Sequence, residues 1–427
     1  MEGNDNFAKT TYIGGDYIEI IKGKKTEHVL KKETHVKKQY NETAKKGKIH
    51  GEPGSAPKPE KIAKCVVEFR PTKDWKGEFG FDWSRKGDRK LAKNGTDINY
   101  KGIIGKYGLT YATEKGAVFT PNNTNYIKHL AEYSSFFAHK TDYRVPHMTL
   151  MKDRTAILDV ITNIEEEPDQ LYYVYDTSLF ELTIMKKLTS SKGKHYDEGA
   201  LKIKCLKEFS TKQSIRIIAS KNKYLEKVGE IFVLPQKIKK LNFILIPVKY
   251  NGVGAPVLDE RTIFKNAMNQ AYIEPKIIEY KDELIVGGFW FETWFTKKDA
   301  KGNRILSTSN VKSIHSWLDS EFFKDKENDK YKNYFRIYMM TTGDLNGIAA
   351  DVGNNAKSVV VYSNRNRSTM PHEIMHALGL YHTFDNDGLF TYKLHNTDNI
   401  MDYTHQVMGK ERFSTNKWQW KILNSGI

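Results

Sequence analysis

Residues 368–384 read STMPHEIMHALGLYHTF. His372 and His376 are four positions apart, so on a helix they differ by about 40° and share one face. Two imidazoles placed this way can each turn one nitrogen toward a common point, which suits a zinc ion. Glu373 sits beside the first histidine, where a carboxylate can take a proton from an activated water and pass it to a leaving amine. His382 lies beyond Gly379, and a bend is needed there. A continuous helix would carry His382 about 9 Å along the axis from His376. Three nitrogens with an open fourth position describe a catalytic zinc site rather than a structural one. By chance, these five fixed positions should match on the order of once in 10⁴ such chains or fewer. Zinc held without catalysis would leave Glu373 with no task.

The chain around this stretch supplies what must position it. Ser368 or Thr369 can cap the helix, Pro371 is tolerated in its first turn, and Gly379 can end it in a left-handed conformation. Upstream, LNFILIPVKY reads as a buried strand, DERTIFKNAMNQAY as a helix capped by Asp259, and SNVKSIHSWLDSEFF as another helix from a Ser/Asn cap. NYFRIYMMT and SVVVYSN read as strands, with LNGIAADVG between them. Strands alternating with helices predict an α/β unit over 237–427.

The stretch HEIMHALGLYH, 372–382, resembles the long zinc signature of the metzincin metallopeptidases, HExxHxxGxxH. NIMDY supplies a methionine for the turn that metzincins place under the metal. LGLYHTF, NIMDY and RFSTNKWQ together resemble the pappalysin-like (cytophagalysin) branch, over roughly residues 240–427. The resemblance implies zinc ligands His372, His376 and His382, with Glu373 as general base and acid. It implies a hydrophobic floor at Met401 and a hydroxyl at Tyr403 that stabilises the oxyanion. It places Gly347, Ile348 and Ala349 on an edge strand that pairs with a substrate backbone. The chain departs from that branch in having no cysteine after Cys205. DNDG, 385–388, resembles a calcium-loop fragment, although such clusters are more often simple turns. His395 and His405 lack ligand spacing and read as surface residues.

Farther upstream the pattern is β-rich. Six short strands at intervals near ten residues predict an immunoglobulin-like β-sandwich over 148–236. Residues 61–147 read as a mixed α/β module, with a helical stretch near TNYIKHLAEYSSFF. Residues 1–60 read as a strand-rich segment that ends in the linker GEPGSAPKPE. The expected fold is therefore multidomain, with β-rich modules before an α/β metzincin catalytic domain.

The 427 residues are 39% hydrophobic and 12% aromatic, with no eighteen-residue apolar run, so no transmembrane segment is expected. Formal net charge is +16, spread along the chain as a basic solvated surface, and no nucleic-acid motif accompanies it. Of two cysteines, Cys65 reads as a buried core thiol. The start MEGNDNFAKTTYIGGDY has neither a basic n-region nor an apolar h-region, so synthesis in the cytoplasm without a signal peptide is expected. Residues 14–36 resemble strands of the spike β-helices of contractile injection machines, and VEFRPTKDWKGEFGFDW resembles segments of Bacteroidetes proteins linked to them. Those resemblances imply a type VI-like exported effector or toxin, with a secretion-spike protein and an immunity protein as partners. The expected function is a zinc-dependent endopeptidase acting on protein or peptide. The alternative is a catalytically idle structural or adaptor component of a secretion spike.

Overall fold

A computed structural model describes residues 63–426, apart from 88–97, 111, 303, 308–310, 342, 355 and 408–410. The chain divides between Lys58 and Pro59 into two units, and the description that follows is of the second. The expectations for residues 1–60 lie outside the described residues.

Two sheets pack face to face. One is antiparallel throughout, in the order Lys64–Pro71, Thr155–Glu166, Gly193–Cys205, Phe180–Ile184. The other runs Gly80–Asp82, His147–Thr149, Tyr224–Val233, Gln213–Lys221, Gln170–Val174. Alternate residues point inward, so Val67, Leu158 and Ile203 of one sheet share a core with Ile215, Ile231 and Val233 of the other. The strands expected within 148–236 lie in these sheets. Lys64–Pro71 and Gly80–Asp82 complete them from the segment before 147. Cys65 and Cys205 are separate buried thiols in this core.

Residues 98–130 pack against the C-terminal region. The hairpin Ile104–Tyr107/Phe119–Pro121 pairs with Thr391–Tyr392. Helix α1, Asn123–Leu130, is capped by Asn122, whose side chain accepts from Asn125 N at 2.9 Å. The helix expected to continue into SSFF stops there. Ser135–Ala138 is instead a strand paired with Thr141–Arg144 through a turn with positive φ at His139 and Lys140.

In the C-terminal region, strands Ile273–Glu279, Lys239–Lys249, Phe335–Met340 and Ser358–Tyr362 lie side by side and parallel. Gly347–Ala349 closes one edge, antiparallel to Ser358–Tyr362. Helices α2 (Glu260–Asn269), α3 (Phe289–Phe295), α4 (Val311–Phe322), α5 (Thr369–Ala377) and α6 (Lys417–Leu423) accompany the sheet. Its two faces bury opposite residues of the same strands. Phe243, Leu245, Val359 and Val361 pack with α2, α5 and α6, whereas Ile244, Ile246, Val360 and Tyr362 pack with α3 and α4. Burial on both faces explains why these strands read as continuous apolar runs. No described helix is long and apolar enough to cross a membrane.

The start of α2 departs from expectation. Asp259 takes a left-handed φ of 60° and its side chain caps nothing. Glu260 instead forms a buried ion pair with Arg365 in the loop before α5, with Nη2 to Oε2 at 2.7 Å and both side chains almost fully enclosed. Arg365 also donates to the carbonyls of Tyr362 and Ala255. Glu260→Ala leaves that guanidinium buried without its counter-charge, which costs about 3–5 kcal/mol. Urea denaturation should show the loss, and a paired apolar replacement of both residues should recover much of it. A loss below about 1 kcal/mol for Glu260→Ala would contradict this role.

Candidate metal centre

All nine residues of α5 are buried. The helix is wedged between the sheet and the loops that follow it, so His372 and His376 are held on a fixed face. Ser368 occupies the cap position but does not cap with its side chain. Its hydroxyl donates to Asn366 Oδ1 at 2.6 Å and accepts from Arg412 Nε at 2.6 Å. Gly379 adopts φ +106°, and its N–H and that of Leu380 close the helix on the carbonyls of His376 and Met375. The chain therefore turns back and brings His382 to the same point as the two helical histidines.

His376 Nε2 lies 3.1 Å from both His372 Nε2 and His382 Nε2. Tetrahedral ligands at a Zn–N distance of 2.0–2.1 Å stand about 3.3 Å apart, so this set fits zinc with little adjustment. Each opposite nitrogen is tied off. Nδ1 of His372 donates to Ile400 O at 2.8 Å, that of His376 to Leu380 O at 2.6 Å, and that of His382 to Asp385 Oδ2 at 2.9 Å. These bonds assign the protons to Nδ1 and turn every Nε2 lone pair inward. Burial holds His372 well below the ordinary imidazole range and takes His376 down to about 3, so both stay neutral, the form that can bind a metal ion. Among the described residues this is the one group of three or more such donors that can hold a metal ion.

Around the imidazoles lies a cleft of about 430 Å³, lined also by Glu373, Tyr403 and the edge strand. Burial raises the Glu373 carboxyl to about 7, against the opposing pull of Arg412 and of a hydrogen bond from the Ala349 amide. The Tyr403 hydroxyl is 3.0 Å from His382 Nε2, and burial pushes it up to about 12. Gly347, Ile348 and Ala349 line the same cleft. A Cβ on Gly347 would stand 2.7 Å from Thr369 Cγ2 and 2.9 Å from Glu373 Cγ, so glycine lets the strand lie close on α5. Met401 is fully buried in the core that includes Ile374 and Met375. Its N–H is held by Asn399 Oδ1 and its carbonyl by Thr383 N–H. The turn thus aims the carbonyl of Ile400 at His372.

Several residues of the site were not singled out by sequence. Arg412 is buried and donates to the carbonyls of Ile400 and Asp402 as well as to Ser368. Its Nη1 also lies 3.0 Å from His372 Nδ1. With the ring proton on Nδ1 both groups are donors, so the carbonyls are its partners. Asp402 organises the methionine turn by accepting from Thr397 N–H and hydroxyl and from the amides of His395 and Tyr403. In the DNDG stretch, Asp385 is committed to His382, and the Asn386 amide clasps the backbone of Tyr107. His395 and His405 are half-buried, not surface residues, and burial takes His405 down to about 3. The i, i+3 spacing of His382 and Asp385 was the one signal that could have found a carboxylate behind a ligand histidine.

The raised Glu373 pKa has a stability consequence in the metal-free protein. Between its ordinary 4.5 and about 7 the folded state holds this proton more tightly than the unfolded state. Stability therefore declines as pH rises through that window. Glu373→Gln removes the titration. The metal-free variant should be more stable than the parent above pH 7, by at most about 3 kcal/mol. The difference should vanish below about pH 4.5. Thermal unfolding in chelator at pH 4 and pH 8 checks this, and a variant less stable than the parent at pH 8 would contradict it. The lowered His376 pKa destabilises both proteins equally in acid and cancels from the comparison.

No protein-family model matches the chain, and no curated protein matches it.

Proposed function

We propose that this chain is a zinc-dependent endopeptidase of metzincin type, closest in its motifs to the pappalysin-like branch. One observation carries the reading: three imidazole Nε2 atoms converge beside the Glu373 carboxyl, in a cleft bounded by an antiparallel edge strand. A structural metal site needs neither the carboxyl nor the cleft. The sandwich upstream is read here as immunoglobulin-like.

A zinc ion held by His372, His376 and His382 supplies Lewis acidity toward a substrate carbonyl and toward water. An extended substrate adds to the free edge of Gly347–Ala349 through backbone hydrogen bonds, which sets the scissile bond across the histidines. Glu373 takes the proton of the attacking water and returns it to the leaving amine. The Tyr403 hydroxyl, a donor throughout the neutral range, stabilises the charge that develops on the carbonyl oxygen. The chain is further read as an effector or toxin exported by a type VI-like machine, with a spike protein and an immunity protein as partners.

Zinc content and turnover separate the roles. His376→Ala should lose zinc by elemental analysis. Glu373→Ala should keep it and lose about 10²–10⁴ in rate on any peptide substrate. New termini appearing in prey-cell extracts treated with the parent, and missing with Glu373→Ala, would identify the substrates. Zinc retained with no cleavage of a broad peptide library would favour the idle adaptor. A chain starting at Lys61 should keep its peptidase activity in vitro and lose export or co-purification with spike proteins. A sharp rise in its activity would identify the front segment as an inhibitory one.

A further inference from the structure

Helix α3 reads FWFETWF and serves the fold with only part of its aromatic content. Phe291 and Phe295, four apart and on one face, are buried. Phe291 packs at 5.0 Å from both Tyr250 and Trp317, and Phe295 at 5.9 Å from Trp317. The other aromatic side chains of the helix face away from that core. Phe289 is 75% exposed, Trp290 70% and Trp294 53%, and Ile285 just upstream is 72% exposed. Every other tryptophan of the chain is buried or half-buried. Single exposed apolar residues are ordinary, but large ones gathered on one short stretch mark an interaction site.

The patch projects from the molecule and is braced from behind. Gly287 and Gly288 lead into α3 with positive φ, and a Cβ on either would meet nothing within 4 Å. The Thr293 hydroxyl donates to Phe289 O at 2.7 Å, and Arg304 Nη1 donates to Glu292 O at 3.2 Å. Arg304 belongs to the hairpin Thr296–Lys298/Arg304–Leu306 that follows the helix. That hairpin is fastened to the segment before the edge strand Gly347–Ala349. Lys297 pairs with Asp344 at 2.8 Å, and the Asp344 N–H donates to Leu306 O at 3.1 Å. Nearby carboxylates are engaged, Glu283 with Lys249 and Glu292 with Arg304. Lys281, Lys298 and Lys301 are exposed, without an ion pair among the described residues. Asp282 and Asp299 lie among them, so the local charge is nearly balanced. The whole chain, at +16, is not.

We propose that the outer face of α3, with Ile285, is a docking surface for an anionic phospholipid bilayer, and that Phe289, Trp290 and Trp294 insert at the level of its headgroups. This surface is independent of the metal centre. Its shape favours a bilayer over a folded partner. Side chains that stand this far out need a matching pocket in another protein, whereas a fluid lipid interface closes around any shape. The residue types agree, since tryptophan is enriched where acyl chains meet headgroups. The helix lies on the bilayer, because a span needs about twenty apolar residues. Ring insertion supplies the short-range attraction. The net positive charge of the whole chain supplies the long-range one and selects anionic lipid. Through the hairpin and Asp344, docking also holds the histidine cleft in a fixed relation to the bilayer surface.

The test is co-sedimentation of the full chain with sucrose-loaded vesicles. One set holds phosphatidylcholine and phosphatidylglycerol in equal parts, the other phosphatidylcholine alone. The parent should pellet with the mixed vesicles and far less with phosphatidylcholine. The double variant Phe289→Ser/Trp290→Ser should bind the mixed vesicles at least about 10-fold more weakly. An unchanged circular dichroism spectrum and urea midpoint would show that the loss is not one of folding. A second measurement separates insertion from adsorption of a basic surface. Lipids brominated on the acyl chains should quench the parent's tryptophan emission, and quench it less in Trp290→Phe, which keeps a ring for docking. Failure of the parent to pellet, or equal binding to both vesicle sets, would overturn the proposal. So would a double variant that binds like the parent, since another basic surface would then be responsible. Self-association of the parent without lipid, lost in the double variant, would assign the face to a second copy of the chain and overturn it as well.

Discussion

Three hydrogen bonds on the outer nitrogens of three imidazoles decide the rest of this structure. With their Nδ1 protons committed to Ile400, Leu380 and Asp385, the rings of His372, His376 and His382 can present only their Nε2 lone pairs to the interior. All three acceptors belong to the loops that follow α5, and two of them are backbone carbonyls. The Gly379 bend supplies the Leu380 carbonyl, and the methionine turn supplies that of Ile400. The site is therefore a property of how α5, its C-terminal bend and the turn at Met401 pack together, and the histidine spacing alone does not create it.

Buried polar groups secure that packing alongside the apolar core around Ile374, Met375 and Met401. Arg412 ties the start of α5 to the methionine turn through Ser368, Ile400 and Asp402. Asp398, in the same turn region, pairs with Arg85, and both side chains are fully enclosed. The Arg85 guanidinium lies 3.7 Å over the Trp83 ring, just past the strand Gly80–Asp82 of the upstream sandwich. Gln270 at the end of α2 clasps Thr415 and the Phe413 carbonyl. Each pair is costly to bury and costlier to break, which makes the arrangement specific. The same logic draws the front of the described chain into the site, since the hairpin that lines the cleft is fastened by Asn386.

Local signals were legible in sequence, and those that depend on distant partners were not. The 372–382 spacing placed the ligands on a helix and a bend because helical geometry is local. Apolar runs such as LNFILIPVKY identified strands covered on both faces. The Asp259 and Ser368 caps failed because tertiary partners, Arg365 on the neighbouring Glu260 and Arg412 on Ser368 itself, set the local geometry. The helix expected through SSFF stopped at Leu130 because the aromatic segment found a strand partner in Thr141–Arg144. Arg412 and Asp402 carry no motif. Their importance lies in backbone carbonyls and amides that only the folded turn brings within reach. His395 and His405 read as surface residues because nothing local marks a histidine that a returning loop will cover.

X-ray absorption at the zinc K-edge of metal-loaded protein tests the central claim most directly. The account predicts three imidazole nitrogens at about 2.0–2.1 Å, falling to two, with weakened binding, in His382→Ala. A shell dominated by carboxylate oxygen, or a spectrum unchanged by that substitution, would contradict it.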